Sequence, residues 1–185
     1  MDGRFGFVAG NLIKRVCETG KPIIVSTGMA TIAELDEMVS TIKRAGCKKF
    51  VLLKCTSSYP ASPENSNLFT LPHMRKLFNC EVGLSDHTLG VGASIAAVAH
   101  GATVIEKHFT LNRSDGGVDS AFSMEPKELK QLVVETERAW QSLGEVKYGA
   151  SEPEKGSMTF RRSIYIAEDI KKGDTLTDKN MRIVR

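Results

Sequence analysis

The sequence predicts an α/β fold built on a parallel sheet, and three observations carry that prediction. Four short runs, PIIVST (22–27), FVLLK (50–54), EVGLS (81–85) and TVIEK (103–107), are largely apolar, as strands buried on both faces are, instead of alternating like strands with one wet face. Between them lie segments with helical periodicity, and parallel strands need crossover connections of that kind. With 185 residues, 41% of them hydrophobic, the chain is long enough to bury one sizeable core.

The elements follow in order. After the first strand, TIAELDEMVSTIKRAG opens on Thr31 and Glu34, spaced as a capping box. It carries Ile32, Leu35, Met38, Val39 and Ile42 on one face and closes at Gly46. The second strand leads through the loop CTSSYPASPENSN to a short helix around residues 71–78. The third is followed by the small-residue helix VGASIAAVAH, and the fourth by a polar, glycine-containing loop at 112–123. Pro126 then opens a long helix ending near Gly144. Beyond it GASEPEKGSM reads as a linker, and SIYIAEDIKKGDTLT is too short to bury a core of its own.

A formal net charge of +3 is mild. It argues against a nucleic-acid stripe or a polybasic membrane surface, and leaves room for local donors to a small anion. Cys17, Cys47, Cys55 and Cys80 have neither CxxC nor zinc-ribbon spacing, and no signal peptide or long apolar span is present. The expectation is a reduced, cytoplasmic protein.

Two histidines stand at equivalent places. His87 in GLSDHTLG and His108 in TVIEKHFTL each follow the end of a strand. In a parallel unit the βα loops share the carboxyl edge of the sheet, where barrels keep their active sites. Neighbouring strands lie about 5 Å apart, so the two imidazoles can face one centre and suit a divalent transition metal with open positions. A single loop histidine is more often solvated or a cap. Two at matching positions, with Ser85, Asp86, Glu106 and Lys107 alongside, point to a site. His73, in a surface-type loop, and His100, at a helix end, are left out of it.

Other strand ends carry compatible chemistry. Ser26 and Thr27 precede Gly28 after the first strand, and Lys54, Thr56, Ser57, Ser58 and Tyr59 follow the second. Hydroxyls, amides and a lysine line a phosphate or carboxylate well. Asp119 and Ser120 lie in a loop that reads as a flexible lid over sugar hydroxyls, with Asp119 equally readable as the cap of a turn.

STGMAT, LLKCTSSYPA, VGLSDHTLG, VIEKHFTL, GGVDSAFSMEP and FRRSIYIAEDIKKGDTLT, in this order, resemble the sialic acid synthase family from about residue 12 onward. GGVDSAFSMEP and the KCTSSYPA loop are most similar to its pseudaminic acid synthases. The resemblance implies a (β/α)8 TIM barrel followed by a small antifreeze-like (SAF) β-clip domain, in a homodimer whose small domains close the partners' barrels. It makes residues 1–148 the C-terminal half of the barrel, 149–160 a linker and 161–185 the beginning of the SAF domain, with the N-terminal half of the barrel missing, since a whole barrel takes about 250 residues. MDGRFGFVAGN does not resemble the strand that the family would place before LIKRV.

The resemblance also implies a function: a transferase of carbohydrate biosynthesis that condenses phosphoenolpyruvate with an N-acetylated amino sugar, releasing phosphate and forming a nine-carbon sialic-type acid. Pseudaminic acid is the favoured product. The alternatives are N-acetylneuraminate or legionaminate, or a truncated, non-catalytic fragment of such an enzyme, and the chain alone is expected to be inactive. By the same resemblance His87 and His108 are metal ligands for Mn2+, with Mg2+ or Co2+ as substitutes, and Glu106 is their acidic neighbour in the catalytic group. Ser26, Ser57 and Ser85 hold phosphoenolpyruvate, and Tyr59 and Asp119 face the sugar. No nucleic acid or membrane partner is expected.

Overall fold

The computed structural model describes residues 4–185, with side chains from residue 10 onward. The chain divides into two compact units after Gly144.

The first unit runs α1 (Arg4–Cys17), β1 (Ile23–Ser26), α2 (Ile32–Arg44), β2 (Phe50–Cys55), α3 (Thr70–Phe78), β3 (Glu81–Asp86), α4 (Gly92–Ala99), β4 (Val104–Lys107) and α5 (Pro126–Ser142). All four strands are parallel, in the spatial order β1-β2-β3-β4. This is the repeated βα unit of half a barrel, with each crossover helix packed back on the sheet.

Arg4–Cys17, which include LIKRV, form the single helix α1, and no strand precedes LIKRV among the described residues; Ile13 packs against the core and Cys17 is buried in it. The N-terminus of α2 has both halves of the predicted box, Glu34 N–H on the Thr31 hydroxyl and Thr31 N–H on the Glu34 carboxylate. Its far end is a Schellman turn. Gly46, at φ 78°, donates to Lys43 O while Cys47 donates to Ile42 O, a left-handed position that favours glycine.

The core lies between the sheet and the helices. Ile23, Phe50, Leu52, Val82 and Leu84 meet Leu35, Val39 and Ile42 of α2, Leu71, Met74 and Phe78 of α3, and Ala97 of α4. Side chains alternate along a strand, so Ser26, Leu53, Cys55, Gly83, Ser85 and Glu106 belong to the other face, where the register pairs Ser26 with Leu53, Leu53 with Gly83, Cys55 with Ser85 and Ser85 with Glu106. His73, read as a loop residue, lies within α3, because Pro72 is accommodated in the first turn, where its missing N–H costs nothing. His100 is the C-cap of α4, as its position suggests.

The second unit contains a 3-10 helix, Glu152–Phe160, in the stretch read as a linker. It also holds an antiparallel pair, β5 (Ser163–Ile166) with β6 (Met181–Val184), in which every β5 side chain is exposed. None of the described helices is long and apolar enough to cross a membrane. All four cysteines are free thiols.

Candidate functional site

His87 lies one residue beyond β3 and His108 one beyond β4. Their ring centroids are 5.2 Å apart, with the planes at 73°. His87 is 7% exposed, and its Nδ1 lies 2.9 Å from the Thr56 carbonyl oxygen. A carbonyl only accepts, so Nδ1 must carry the proton, and the lone pair is left on Nε2. His108 turns its Nδ1 toward Asp119 Oδ2 at 3.5 Å. The His87 imidazole is thus oriented through one nitrogen by an acceptor, as metal-ligating histidines are, and the His108 imidazole has a carboxylate beside its Nδ1.

Two aromatic rings complete this group. Tyr59 lies 4.3 Å from the His87 ring and 5.9 Å from that of His108, and Phe122 lies 5.0 Å from His108 and 5.9 Å from Tyr59. Tyr59 is brought there because its loop is stitched to the end of β3: Ala61 N–H donates to His87 O, and Ala61 bridges Thr88. The Tyr59–Pro60 peptide bond is cis. Beneath the rings, Ser85 donates to Glu106 Oε1 at 2.6 Å.

The expected site residues therefore sort into groups. His87, His108, Tyr59 and Asp119 share one centre, and Ser85 and Glu106 form a pair on the adjoining rung. Ser57 and Ser26 stand at the two preceding strand ends. Ser57 lies 3.9 Å from the Cys55 sulfur, and Ser26 lines a groove of about 420 Å3 with Ile13 and Met38. The loops after β1 and β2 approach closely, since a Cβ on Gly28 would lie 3.6 Å from Ser57 Oγ. Phe122 is a member that sequence reasoning missed; an aromatic three residues after Asp119 in the same loop was the available signal.

Three readings are corrected. Lys54 shares the parity of Leu52 and turns to the helix side, where it lines a cavity of about 330 Å3 with Thr27, Thr70 and His73 and donates to Cys55 O and Thr56 Oγ1. Burial there pushes its pKa down. Asp86 and Lys107 also face the helices and pair with each other. Finally, the loop at 112–123 is pinned and is not a free lid. Thr110 N–H donates to Met124 O and Met124 N–H to His108 O, while Arg113 binds Ser123 O, Glu125 and Glu128.

Two imidazole donors suit a borderline transition metal. Among the described residues no group of three or more His, Cys, Asp or Glu side chains is placed to hold a metal ion, so these residues fit such an ion as part of its ligand set.

The structure defines a parallel βα half-barrel with two histidines at its carboxyl edge, and comparison with known proteins gives the family. Residues 5–148 match the NeuB family model, and the chain belongs to the NeuB family. It is 41% identical over 175 residues to the pseudaminic acid synthase of Campylobacter jejuni, covering 95% of this chain and 51% of that protein. It is 38% identical over 176 residues to the N,N'-diacetyllegionaminic acid synthase of the same species, covering 94% and 53%. Among solved structures, it superposes on the N-acetylneuraminic acid synthetase of Leptospira borgpetersenii, crystallised with citrate, with a TM-score of 0.73 and 36% identity over 82% of this chain and 53% of that one. The chain spans about half the length of the curated relatives it matches.

Proposed function

We propose that this chain carries the histidine half of the active site of a synthase that joins phosphoenolpyruvate to an N-acetylated amino sugar, with pseudaminic acid as the product. The observation that carries the reading is the convergence of His87, held through Nδ1, and His108 beside Tyr59 and Asp119. It is supported by the names of the synthases that the chain resembles. The other barrel half belongs to the same proposal, as do the homodimer, the cytoplasmic location and the assignment of residues 161–185 to the start of a SAF domain.

In this reading C3 of phosphoenolpyruvate attacks the aldehyde carbon of the open-chain sugar, and a C–C bond forms. Water adds at C2, and phosphate leaves with C–O cleavage. His87 and His108 would hold a divalent ion, Mn2+ or in its place Mg2+ or Co2+, which would supply Lewis acidity for the aldehyde. Ser26, Ser57 and Ser85 present hydroxyls to the carboxylate and phosphate, which orients the nucleophilic carbon. Tyr59 and Asp119 meet the sugar. Glu106 Oε1 accepts the Ser85 hydroxyl hydrogen bond in the resting site and, in this reading, takes up the proton of the attacking water.

The test is phosphate release from phosphoenolpyruvate by a protein carrying the whole barrel. His87→Ala and His108→Ala are expected to abolish metal-dependent turnover, and wild-type activity in either variant would overturn the site. The similarity to a legionaminic acid synthase supports a second reading of the sugar. The diacetamido trideoxy-L-altrose precursor of pseudaminic acid is expected to have the highest kcat/KM; a higher value for N-acetylmannosamine or the legionaminate precursor would change the product and leave the chemistry intact.

A further inference from the structure

Asp86 and Lys107 immediately precede the two histidines, and the proposed chemistry uses neither. They are cross-strand partners on the last rung between β3 and β4. Lys107 Nζ lies 3.2 Å from Asp86 Oδ2, with the two side chains only 3% and 1% exposed. The remaining valences are spent on the chain around His87. Asp86 Oδ1 accepts from Thr88 N–H at 2.8 Å, Lys107 Nζ donates to Thr88 O, and Asp86 Oδ2 accepts from Ser94 of α4 at 2.6 Å.

We propose that the Asp86–Lys107 pair is a positioning device that sets how far apart His87 and His108 stand and how they face each other. The proposal rests on the reading of those two residues as metal ligands. The ladder between β3 and β4 ends at this rung, so no β3–β4 bond joins the histidines one residue further on; each is tied instead to a separate loop, His87 O to Ala61 N–H and His108 O to Met124 N–H. The ion pair ties the two strands together at that point, and it holds both backbone groups of Thr88, the residue on the far side of His87. The pair therefore brackets His87 on both sides and connects it to the residue before His108.

Stability does not explain such a pair. Removing two charges from water costs several kcal/mol, and apolar replacements are often as stable or more so. Fixing register is the better-attested use of buried polar groups. Strand alternation turns Asp86 and Lys107 to the helix side and the histidines to the other, so the pair acts through the backbone and touches neither ion nor substrate.

The test is Mn2+ titration of the whole chain, followed by electron paramagnetic resonance of the free ion, together with long-range 15N spectra of the imidazoles without metal. The Asp86→Asn/Lys107→Met double variant removes both charges and the Lys107 bond to Thr88 O, and leaves the contacts with Ser94 and the Thr88 N–H to the amide. It is expected to melt with the wild type, to bind Mn2+ about 10- to 100-fold more weakly, and to show His87 as a mixture of tautomers where the wild type is Nδ1–H alone. Unchanged affinity in this variant, with binding abolished in His87→Ala/His108→Ala, overturns the positioning role. Wild-type binding in His87→Ala/His108→Ala overturns the metal reading instead, and the 15N spectrum then decides the positioning role by itself. Should the double variant unfold, Ser94→Ala takes its place, with a loss of about tenfold expected and unchanged affinity counting against the device.

Discussion

Ser85 and Glu106 face each other across a single rung of the β3–β4 ladder, and the Ser85 hydroxyl gives its only proton to Glu106 Oε1 at 2.6 Å. A hydroxyl cannot donate twice. In the proposed condensation Ser85 must therefore exchange Glu106 for the substrate anion when phosphoenolpyruvate binds. Ser85→Ala is expected to raise KM for phosphoenolpyruvate by roughly 10- to 100-fold, the value of a hydrogen bond to a charged group. Glu106→Ala frees the same hydroxyl, and is expected to lower kcat while leaving that KM unchanged or reduced. Initial rates in a protein with the whole barrel give both numbers; an unaltered KM in Ser85→Ala would remove Ser85 from the substrate site.

Gly83 is the rung that lets this face close. A Cβ there would lie well inside van der Waals contact distance of the Val104 carbonyl oxygen and 2.6 Å from Leu53 Cδ2. Leu53 can rotate away, but the Val104 backbone cannot without opening the β3–β4 pairing that carries both histidines. Gly83→Ala is expected to cost about 1–3 kcal/mol, and Leu53→Ala in the same chain is expected not to restore it. Urea unfolding measures both, and full rescue by Leu53→Ala would show that the crowding is with a side chain alone.

Much of this was legible because it is local or periodic. The Thr31–Glu34 box and the Gly46 turn are contacts within a few residues, and the pairing of His87 with His108 follows from the shared edge of parallel strands. What was not legible depended on parity and on distant partners. Asp86 and Lys107 share the faces of Leu84 and Ile105, so counting alternate residues from the core would have turned them away from the histidines, and the same count from Leu52 would have turned Lys54. The anchoring of the 112–123 loop required Arg113 to find Glu125 and Glu128, long-range pairs that no local pattern announces. Helix α1 went unread because the resemblance called for a strand at that place, while the segment's own amphipathic pattern favours a helix.

That anchor has a pH dependence of defined sign. The Glu128 carboxyl is held below its ordinary value of 4.5 by the Glu125 N–H it accepts, and further by the Arg113 guanidinium. A depressed carboxyl contributes stability that is complete above its unfolded pKa and is lost as pH falls through the folded one. The loop is therefore expected to stay pinned through neutral pH and to loosen only below about 4.5. Amide protection factors across residues 112–123 report it. Glu128→Gln should loosen the loop at pH 7, and equal protection in that variant would remove Glu128 from the anchor.

The four-stranded sheet is open, with β1 and β4 as its edges. A parallel sheet is stable when both faces are covered and both edges are paired or shielded. Here the helices cover one face, while on the other Ile24 of β1 remains 56% exposed. Among the described residues no strand pairs with the outer side of β1, which presents backbone donors and acceptors beside that apolar side chain, the template that recruits another strand. The 185 residues by themselves are therefore expected to associate in a concentration-dependent way, visible in sedimentation velocity. Ile24→Lys should reduce that association, because an edge lysine opposes strand addition, without lowering the melting temperature, since the side chain is already largely in water. A compact monomer at every concentration, or an association that Ile24→Lys leaves untouched, would show that this edge is shielded by other means.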